Sequence, residues 1–256
     1  MKTNTDKKIL KFIKERGQVA PKDIIEFIGF TASAVFRQLK KLQNQKKIQK
    51  SGTPPHVTYH IPMTQKEKII QNAYLWTTKT FIDNNDIAKT ANLYCLARDI
   101  FESRNQKTAK TLIANNYSEA LSYLLYAIIG EIGNNSFDHN LGNWPNIPGV
   151  YFTIDLKEKI VILADRGRGV RSSLQEVRPD IIDDSTALRV AFTEVISGRS
   201  PEQRGNGLKF VKKIVMENKL TLTFYSGTAV CNIKNKKMSF ENSNINIQGT
   251  LAVIEF

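Results

Sequence analysis

The chain has 256 residues, of which 41% are hydrophobic and 9% aromatic, so it can bury one large core or two modest ones. Its formal net charge is +13, and its two cysteines and three histidines are too few and too scattered to indicate a disulfide framework or a zinc cluster. It has neither an apolar run of about 18 residues nor an apolar leader at its start, so we expect a cytoplasmic protein without a membrane partner.

The positive charge is concentrated near the N-terminus. Residues 1–62 hold thirteen Lys or Arg against four Asp or Glu, an excess of nine, whereas the other 194 residues have an excess of only four. Such a concentration favours a polyanionic partner over a uniformly solvated surface.

The same N-terminal quarter shows helical periodicity. Thr5 is predicted to cap a first helix that ends near Gly17, and Pro21 stands where a second helix begins. The residues expected on the buried sides of these two helices are Ile9, Leu10, Phe12, Ile13, Ile24, Ile25 and Phe27.

A third helix and a hairpin follow. The turn "GFT" leads to Thr31, which is predicted to cap the helix "ASAVFRQLKKLQNQ", where Val35, Leu39 and Leu42 recur at helical spacing. Two helices joined by a short glycine-containing turn are typical of a helix-turn-helix. The stretch "KKIQKSGTPPHVTYHI" then has two β-prone segments around "SGTPP", which is the pattern of a wing.

The segment 1–62 therefore resembles the winged helix-turn-helix family, which implies double-stranded DNA as a partner. On this resemblance Ser33 and Arg37 are candidates for contacts to base edges. The candidates for phosphate contacts are Lys40, Lys41, Lys46, Lys47 and Lys50. The alternative is a small protein-interaction module with a solvated basic face.

Residues 63–116 contain two amphipathic helical stretches without a catalytic pattern. We predict a helical connector, which is a candidate dimerisation hairpin of a homodimer. It contains no histidine, so a phosphoacceptor histidine is not expected there.

Polar residues follow an apolar run in the C-terminal half. The run "EALSYLLYAIIG" ends in "EIGNNSFDHN", where Glu131, Asn135 and His139 are four residues apart and fall on one face of a helix. A carboxylate and an amide at this place are costly to bury without a partner, so the pattern indicates a ligand site.

Three further motifs follow in order. "VYFTIDLKEKIVILADRGRGV" predicts two alternating strands that end in a loop with Asp165, Gly167 and Gly169. "SGRSPEQRGNGLKFVKKIV" predicts a polar, glycine-containing loop before a helix, and "GTLAVIEF" predicts a final strand that Gly249 and Thr250 open. The chain contains no "GK" dipeptide, so a phosphate-binding P-loop is excluded.

In this order the motifs resemble the GHKL superfamily of ATP-binding domains, which includes gyrase, heat-shock chaperones, histidine kinases and mismatch-repair proteins. The resemblance covers about residues 117–256. It implies an α+β protein with an N-terminal winged helix, a helical connector and a C-terminal α/β sandwich of the GHKL (Bergerat) type, whose mixed sheet is mainly antiparallel.

The resemblance also implies ATP and Mg²⁺ as cofactors. Glu131 takes the place of the family's general base, and Asn135 that of a neutral magnesium ligand. Asp165 would accept a hydrogen bond from the exocyclic amine of adenine, which guanine lacks, and Thr250 would join that network. The other residues implied to bind the nucleotide are His139, Gly167, Gly169, Arg199, Arg204, Gly205, Asn206, Gly207 and Leu208.

Two functions agree with these motifs. The first is a DNA-binding transcriptional regulator in which the nucleotide state of the GHKL-like domain controls the engagement of DNA or of a protein partner. The alternative is a serine/threonine protein kinase of the anti-sigma kinase type, which would act on a partner protein with Glu131 as base. Both routes need Glu131, so the sequence does not choose between them.

Overall fold

The computed structural model describes residues 2–80, 82–194 and 207–256, with the backbone alone for residues 2–4, 84, 88 and 89. The chain divides into two compact units, Met1–Gln65 and Lys66–Phe256. Each unit has a hydrophobic core of its own.

The described part of the first unit is a winged helix. Its elements are α1 (Lys2–Arg16), α2 (Pro21–Ile28), α3 (Ala32–Asn44), β1 (Gln49–Ser51) and β2 (Thr58–His60). Strands β1 and β2 pair antiparallel, with Lys50 opposite Tyr59. The apolar sides of all three helices meet in one core, because residues three and four apart lie on one helical face.

Three details of this unit differ from the prediction. Helix α1 begins at Lys2, so Thr5 lies inside it and does not cap it. The residues before Thr5 include no proline or glycine that would keep the helix from extending to Lys2. Thr31 stands at the N-cap of α3 but makes no side-chain capping hydrogen bond. Phe27 is 52% exposed and stacks on the ring of Phe12 at 4.0 Å, because the short helix α2 turns only a narrow side into the core.

The second unit mixes helices and strands. Its helices are α4 (Gln65–Thr78), whose first residue ends the first unit, α5 (Asn84–Lys89), α6 (Arg98–Ala114), α7 (Glu119–Asn140), α8 (Gly169–Gln175), α9 (Asp184–Thr193) and α10 (Gly207–Glu217). Its strands are β3 (Tyr94–Cys95), β4 (Val150–Asp155), β5 (Ile160–Asp165), β6 (Thr221–Lys234) and β7 (Lys237–Glu255).

These strands form a sheet of order β3-β4-β5-β7-β6. Every pairing among the described strands is antiparallel, where the family resemblance implied a mixed sheet that is mainly antiparallel. The β6–β7 connection uses Asn235 and Lys236, both at positive φ, which matches the twist of a tight hairpin. The register of β5 and β7 places Asp165 opposite Thr250, so the sheet itself joins two predicted site residues.

Both faces of the sheet are covered. Helices α6, α7, α9 and α10 contribute to a core on one face, and Ala73 and Trp76 of α4 pack against the other. Strand β5 is buried along its whole length for this reason, although the sequence predicted an alternating strand.

The predicted α+β class is confirmed by this architecture. The segment 63–116, predicted as a separate connector, lies almost wholly in the second unit: α4 covers one face of the sheet, β3 extends its edge and α6 packs on α7. Among the helices described, none combines the length and hydrophobicity needed to cross a membrane.

Candidate functional site

The predicted DNA-contacting side chains of the first unit all lie at its surface. Val35, Leu39 and Leu42 anchor one side of α3 in the core, which turns the opposite side of the helix to solvent. The exposed predicted residues are Ser33, Arg37, Lys40, Lys41, Lys46, Lys47 and Lys50. A shallow depression on α3 is bordered by Phe36, Arg37 and Lys40, among others.

Lys41 differs from the other predicted phosphate contacts because a carboxylate already pairs with it. Its Nζ donates to Asp6 Oδ2 of α1 at 2.5 Å, and this aspartate is only 14% exposed. The structure therefore gives Lys41 a contact that links α1 to α3, in addition to its place on the basic surface.

In the second unit, the predicted motifs converge on a cavity of about 730 Å³. Its walls come from α7, the loop after β5, α8, the start of α10 and β7. The predicted site residues that line it are Glu131, Asn135, His139, Asp165, Gly169, Gly207, Leu208 and Thr250. Arg199, Arg204, Gly205 and Asn206 lie outside the described residues.

Asp165 is the most buried carboxylate of this cavity, at 1% exposure. Its Oδ2 accepts hydrogen bonds from Ser136 Oγ at 2.9 Å and Thr250 Oγ1 at 2.5 Å, and its Oδ1 accepts from the Gly167 amide at 2.8 Å. Burial raises the pKa of Asp165, while these three donors oppose that rise. The network fixes the carboxylate at one wall of the cavity.

Glycines let backbone and side chains approach closely around this carboxylate. A Cβ at Gly167 would lie 2.1 Å from the Asn140 amide nitrogen, and one at Gly249, where φ is +78°, would lie 2.3 Å from the Asp165 carbonyl oxygen. Neither position can take a larger residue without a shift of its neighbours.

Helix α7 supplies another wall of the cavity. Glu131 is exposed, and a Cβ placed at Gly207, the first residue of α10, would lie 2.7 Å from Glu131 Oε2 and 3.3 Å from Asn135 Nδ2. His139, one turn further along α7, has its Nδ1 2.9 Å from Ser173 Oγ of α8. The structure therefore aligns these three α7 residues along the cavity, as helical spacing predicted.

The sequence analysis missed four polar groups around the site. Ser136 and Asn140 continue the polar side of α7, so the four-residue spacing that identified Glu131 and Asn135 could have found them. Ser226 Oγ accepts a hydrogen bond from the Val170 amide at 2.9 Å and donates one to the Gly249 carbonyl at 3.0 Å. These residues are far apart in the chain, so no local sequence pattern predicts the contact. The fourth group is the side chain of Arg166.

Arg166 is fully buried beside Asp165. Its guanidinium donates to the carbonyls of Trp76 at 2.7 Å, Thr77 at 3.0 Å and Lys79 at 2.5 Å; the first two lie in the last turn of α4 and the third follows the helix. It also donates to Asn146 Oδ1 and Gln248 Oε1, at 2.9 and 3.2 Å. Burial lowers the pKa of Arg166. Arg166 thus ties the loop after β5 to the end of α4.

Arg98, the first residue of α6, borders the cavity. Arg98 forms an ion pair with Asp138 of α7, and its guanidinium lies 5.8 Å from the centre of the Phe137 ring. Arg98 therefore offsets the negative charge of Asp138 at this turn of α7.

Comparison with known proteins identifies the first unit. Residues 2–49 match the family model "Winged helix-turn-helix DNA-binding". The chain therefore carries a winged helix-turn-helix DNA-binding domain, and the predicted resemblance of this segment is confirmed.

The remaining comparisons add no assignment. No curated protein sequence matches the chain. A crystal structure from Silicibacter sp. TM1040, provisionally named as an ICLR transcriptional regulator, aligns over 99% of this chain and 84% of that chain, with 10% identity and a TM-score of 0.24. A likeness this weak carries no argument about fold or function.

Proposed function

We propose that this DNA-binding protein is a transcriptional regulator whose second unit binds an adenine nucleotide with Mg²⁺, and that the nucleotide state controls engagement of DNA or of a protein partner. The observation that carries the proposal is the buried Asp165 network at the wall of the cavity. A volume of about 730 Å³ lies in the usual range for small-molecule and cofactor sites.

The adenine ring of the nucleotide would bind at the wall of the cavity that contains Asp165. Asp165 lines the cavity but is almost shielded from water, so an N–H donor on a ligand would gain a charge-assisted hydrogen bond there. Adenine presents an amine at the position where guanine presents a carbonyl, which is an acceptor and would face the carboxylate unfavourably. The site should therefore select adenine.

The phosphates and the metal would lie between α7 and α10. Within the described residues no three His, Cys, Asp or Glu side chains converge on a metal position, so protein ligands for Mg²⁺ would come from single oxygens such as that of Asn135. Asn134 Oδ1, at the same wall, is buried without a hydrogen-bond partner in the described part of the chain. Because Gly207 has no side chain, the first residue of α10 approaches Glu131 and Asn135 closely, and a helix N-terminus at this place would suit an anion.

Calorimetric titration with ATP, ADP and GTP in the presence of Mg²⁺ tests this assignment. ATP and ADP should bind and GTP much more weakly. Asp165→Asn should weaken ATP binding about ten- to a hundredfold, the worth of a hydrogen bond to a charged group. Asp155→Asn is the matched control, since this carboxylate caps the β4–β5 turn. Equal affinities for ATP and GTP, or an unchanged affinity in Asp165→Asn, would overturn the adenine site.

The Arg166 contacts support a link from nucleotide to DNA binding. Arg166 follows Asp165 directly and holds the end of α4, and α4 begins at Gln65, where the first unit ends. Labelled DNA titrated with and without ATP should show a changed affinity, and DNA should change ATP affinity by the same factor. Arg166→Lys removes part of the guanidinium donor set. It should reduce the factor by which ATP changes the DNA affinity more than it changes the DNA affinity or the ATP affinity alone. DNA binding indifferent to ATP would remove the regulatory link.

The position of Glu131 favours a second candidate, a protein serine/threonine kinase acting on a partner. Glu131 is exposed at the cavity wall beside Gly207, where a base could reach an acceptor hydroxyl. Incubation with labelled ATP, with and without candidate partners, separates released phosphate from phosphoprotein. Glu131→Gln should abolish either product while leaving ATP affinity within a few-fold, because a base acts on the attacking group.

A further inference from the structure

Phe36 is an exposed aromatic residue on the helix that carries the predicted base contacts. Its side chain is 46% exposed, and it borders the same depression on α3 as Arg37 and Lys40. The core side of α3 is already occupied by Val35, Leu39 and Leu42, so rotation of the helix to bury Phe36 would expose them. Packing within the first unit therefore does not account for a phenylalanine here.

Phe27, another exposed phenylalanine of this unit, differs from Phe36 in its surroundings. Phe27 is 52% exposed but stacks face to face on Phe12. No ring partner contacts Phe36 among the residues that the structure describes, and its neighbours at the depression are polar or basic. The basic neighbours favour an anionic partner, and the exposed ring favours a partner that also presents an apolar group.

The DNA major groove has one such group. Each base pair presents hydrogen-bonding atoms there, and thymine alone adds a methyl group. We propose that Phe36 is a specificity-determining residue of the DNA-binding domain and that it packs against a thymine methyl group next to the base contacted by Arg37. Phe36 and Arg37 border one depression on α3, so the two contacts would fall on neighbouring base pairs.

Replacement of thymine by uracil tests this contact without any change to the protein. Duplexes are first selected from a random library with the full-length protein, and each thymine of the selected site is then replaced singly by uracil. One replacement, next to the position whose preference depends on Arg37, should weaken binding of the wild type about fourfold, the worth of one buried methyl group. The other replacements should change the affinity less than twofold.

Variants then assign the effect to Phe36. Phe36→Ala should bind the thymine and the uracil duplex alike, whereas Phe36→Leu should keep part of the difference because it keeps an apolar side chain. Phe27→Ala removes an exposed phenylalanine that stacks on Phe12 and should keep the whole fourfold difference, with folding of each variant checked by circular dichroism. The proposal is overturned if no selected thymine is sensitive to uracil, or if Phe36→Ala keeps the wild-type sensitivity; Phe36 would then belong to a protein-docking surface.

Discussion

The two units hold their functional side chains in opposite environments. On the first unit, Ser33, Arg37 and the predicted phosphate-contacting lysines are exposed, and α3 is held by apolar residues on its other side. In the second unit, Asp165 and Arg166 are 1% and 0% exposed, and several hydrogen bonds hold each of them.

Because of this difference, hydration and salt affect the functional side chains of the two units differently. Exposed cations keep their hydration in the folded protein, so they attract a polyanion without cost to the fold, and salt weakens that attraction. A buried carboxylate or guanidinium loses its hydration on folding and must be satisfied by the fold itself. Substitutions should therefore change binding alone in the first unit, but stability and binding together in the second.

The largest effect is expected from Arg166→Met. The change leaves the carbonyls of Trp76, Thr77 and Lys79 without their donor, and each buried unsatisfied group costs about 1–3 kcal/mol, so the second unit should lose roughly 3 kcal/mol or more. Urea unfolding followed by tryptophan fluorescence measures this unit selectively, because Trp76 and Trp144 both lie in it.

Arg178→Met is the control within the same unit. Arg178 makes exposed ion pairs with Asp180 and Glu194, and such pairs contribute little to stability because water and salt screen them. Equal losses in the two variants would contradict the comparison, since burial of Arg166 would then have no energetic consequence.

The next largest difference is expected in the salt dependence of the two units. If Lys40, Lys46, Lys47 and Lys50 each neutralise one phosphate, the DNA affinity should fall roughly a hundredfold between about 50 and 200 mM salt. Over the same range, the tryptophan-monitored stability of the second unit should change by less than about 0.5 kcal/mol, because its buried groups are little screened. A DNA affinity independent of salt would assign the basic face to protein docking.

Two glycines of α7 probe the packing of the second unit. A Cβ at Gly133 would lie 2.0 Å from Phe101, which is fully buried, whereas one at Gly130 would meet only Asn105 Nδ2 at 3.4 Å. Gly133→Ala should destabilise the unit by about 1–3 kcal/mol through overpacking. Gly130→Ala should leave it unchanged or stabilise it by up to about 1 kcal/mol, since alanine favours helix. Equal effects of the two changes in urea unfolding would show that α7 and α6 are not packed as described.

Local spacing predicted much of this molecule. The periodicity of Val35, Leu39 and Leu42 indicated the buried side of α3, and the four-residue spacing of Glu131, Asn135 and His139 indicated one wall of the cavity. These features could be predicted because they depend on the geometry of a single helix.

Contacts between distant segments could not be predicted in this way. The segment 63–116 was predicted as a connector because its two amphipathic stretches carry no catalytic pattern, and the packing of α4 on the sheet and of α6 on α7 is visible only in the structure. In "DRGRG" the sequence drew attention to Asp165 and the glycines, yet Arg166 reaches residues almost ninety positions earlier in the chain. Ser226 likewise joins Val170 to Gly249 across three segments.

The smallest expected difference lies between two neighbouring lysines of the first unit. Lys40 is exposed on the α3 face, whereas Lys41 donates to Asp6, whose negative charge offsets much of its attraction for a phosphate. Lys40→Ala should weaken binding to all DNA sequences about two- to fivefold and lower the salt slope by about 1, while Lys41→Ala should change both less. Titration of one labelled duplex at several salt concentrations measures both quantities.

The double variant Asp6→Asn with Lys41→Ala is the control: relative to Asp6→Asn alone, removal of Lys41 should now cost as much as removal of Lys40. If Lys41→Ala weakens binding as strongly as Lys40→Ala in the presence of Asp6, Lys41 leaves its carboxylate for the phosphate when DNA binds.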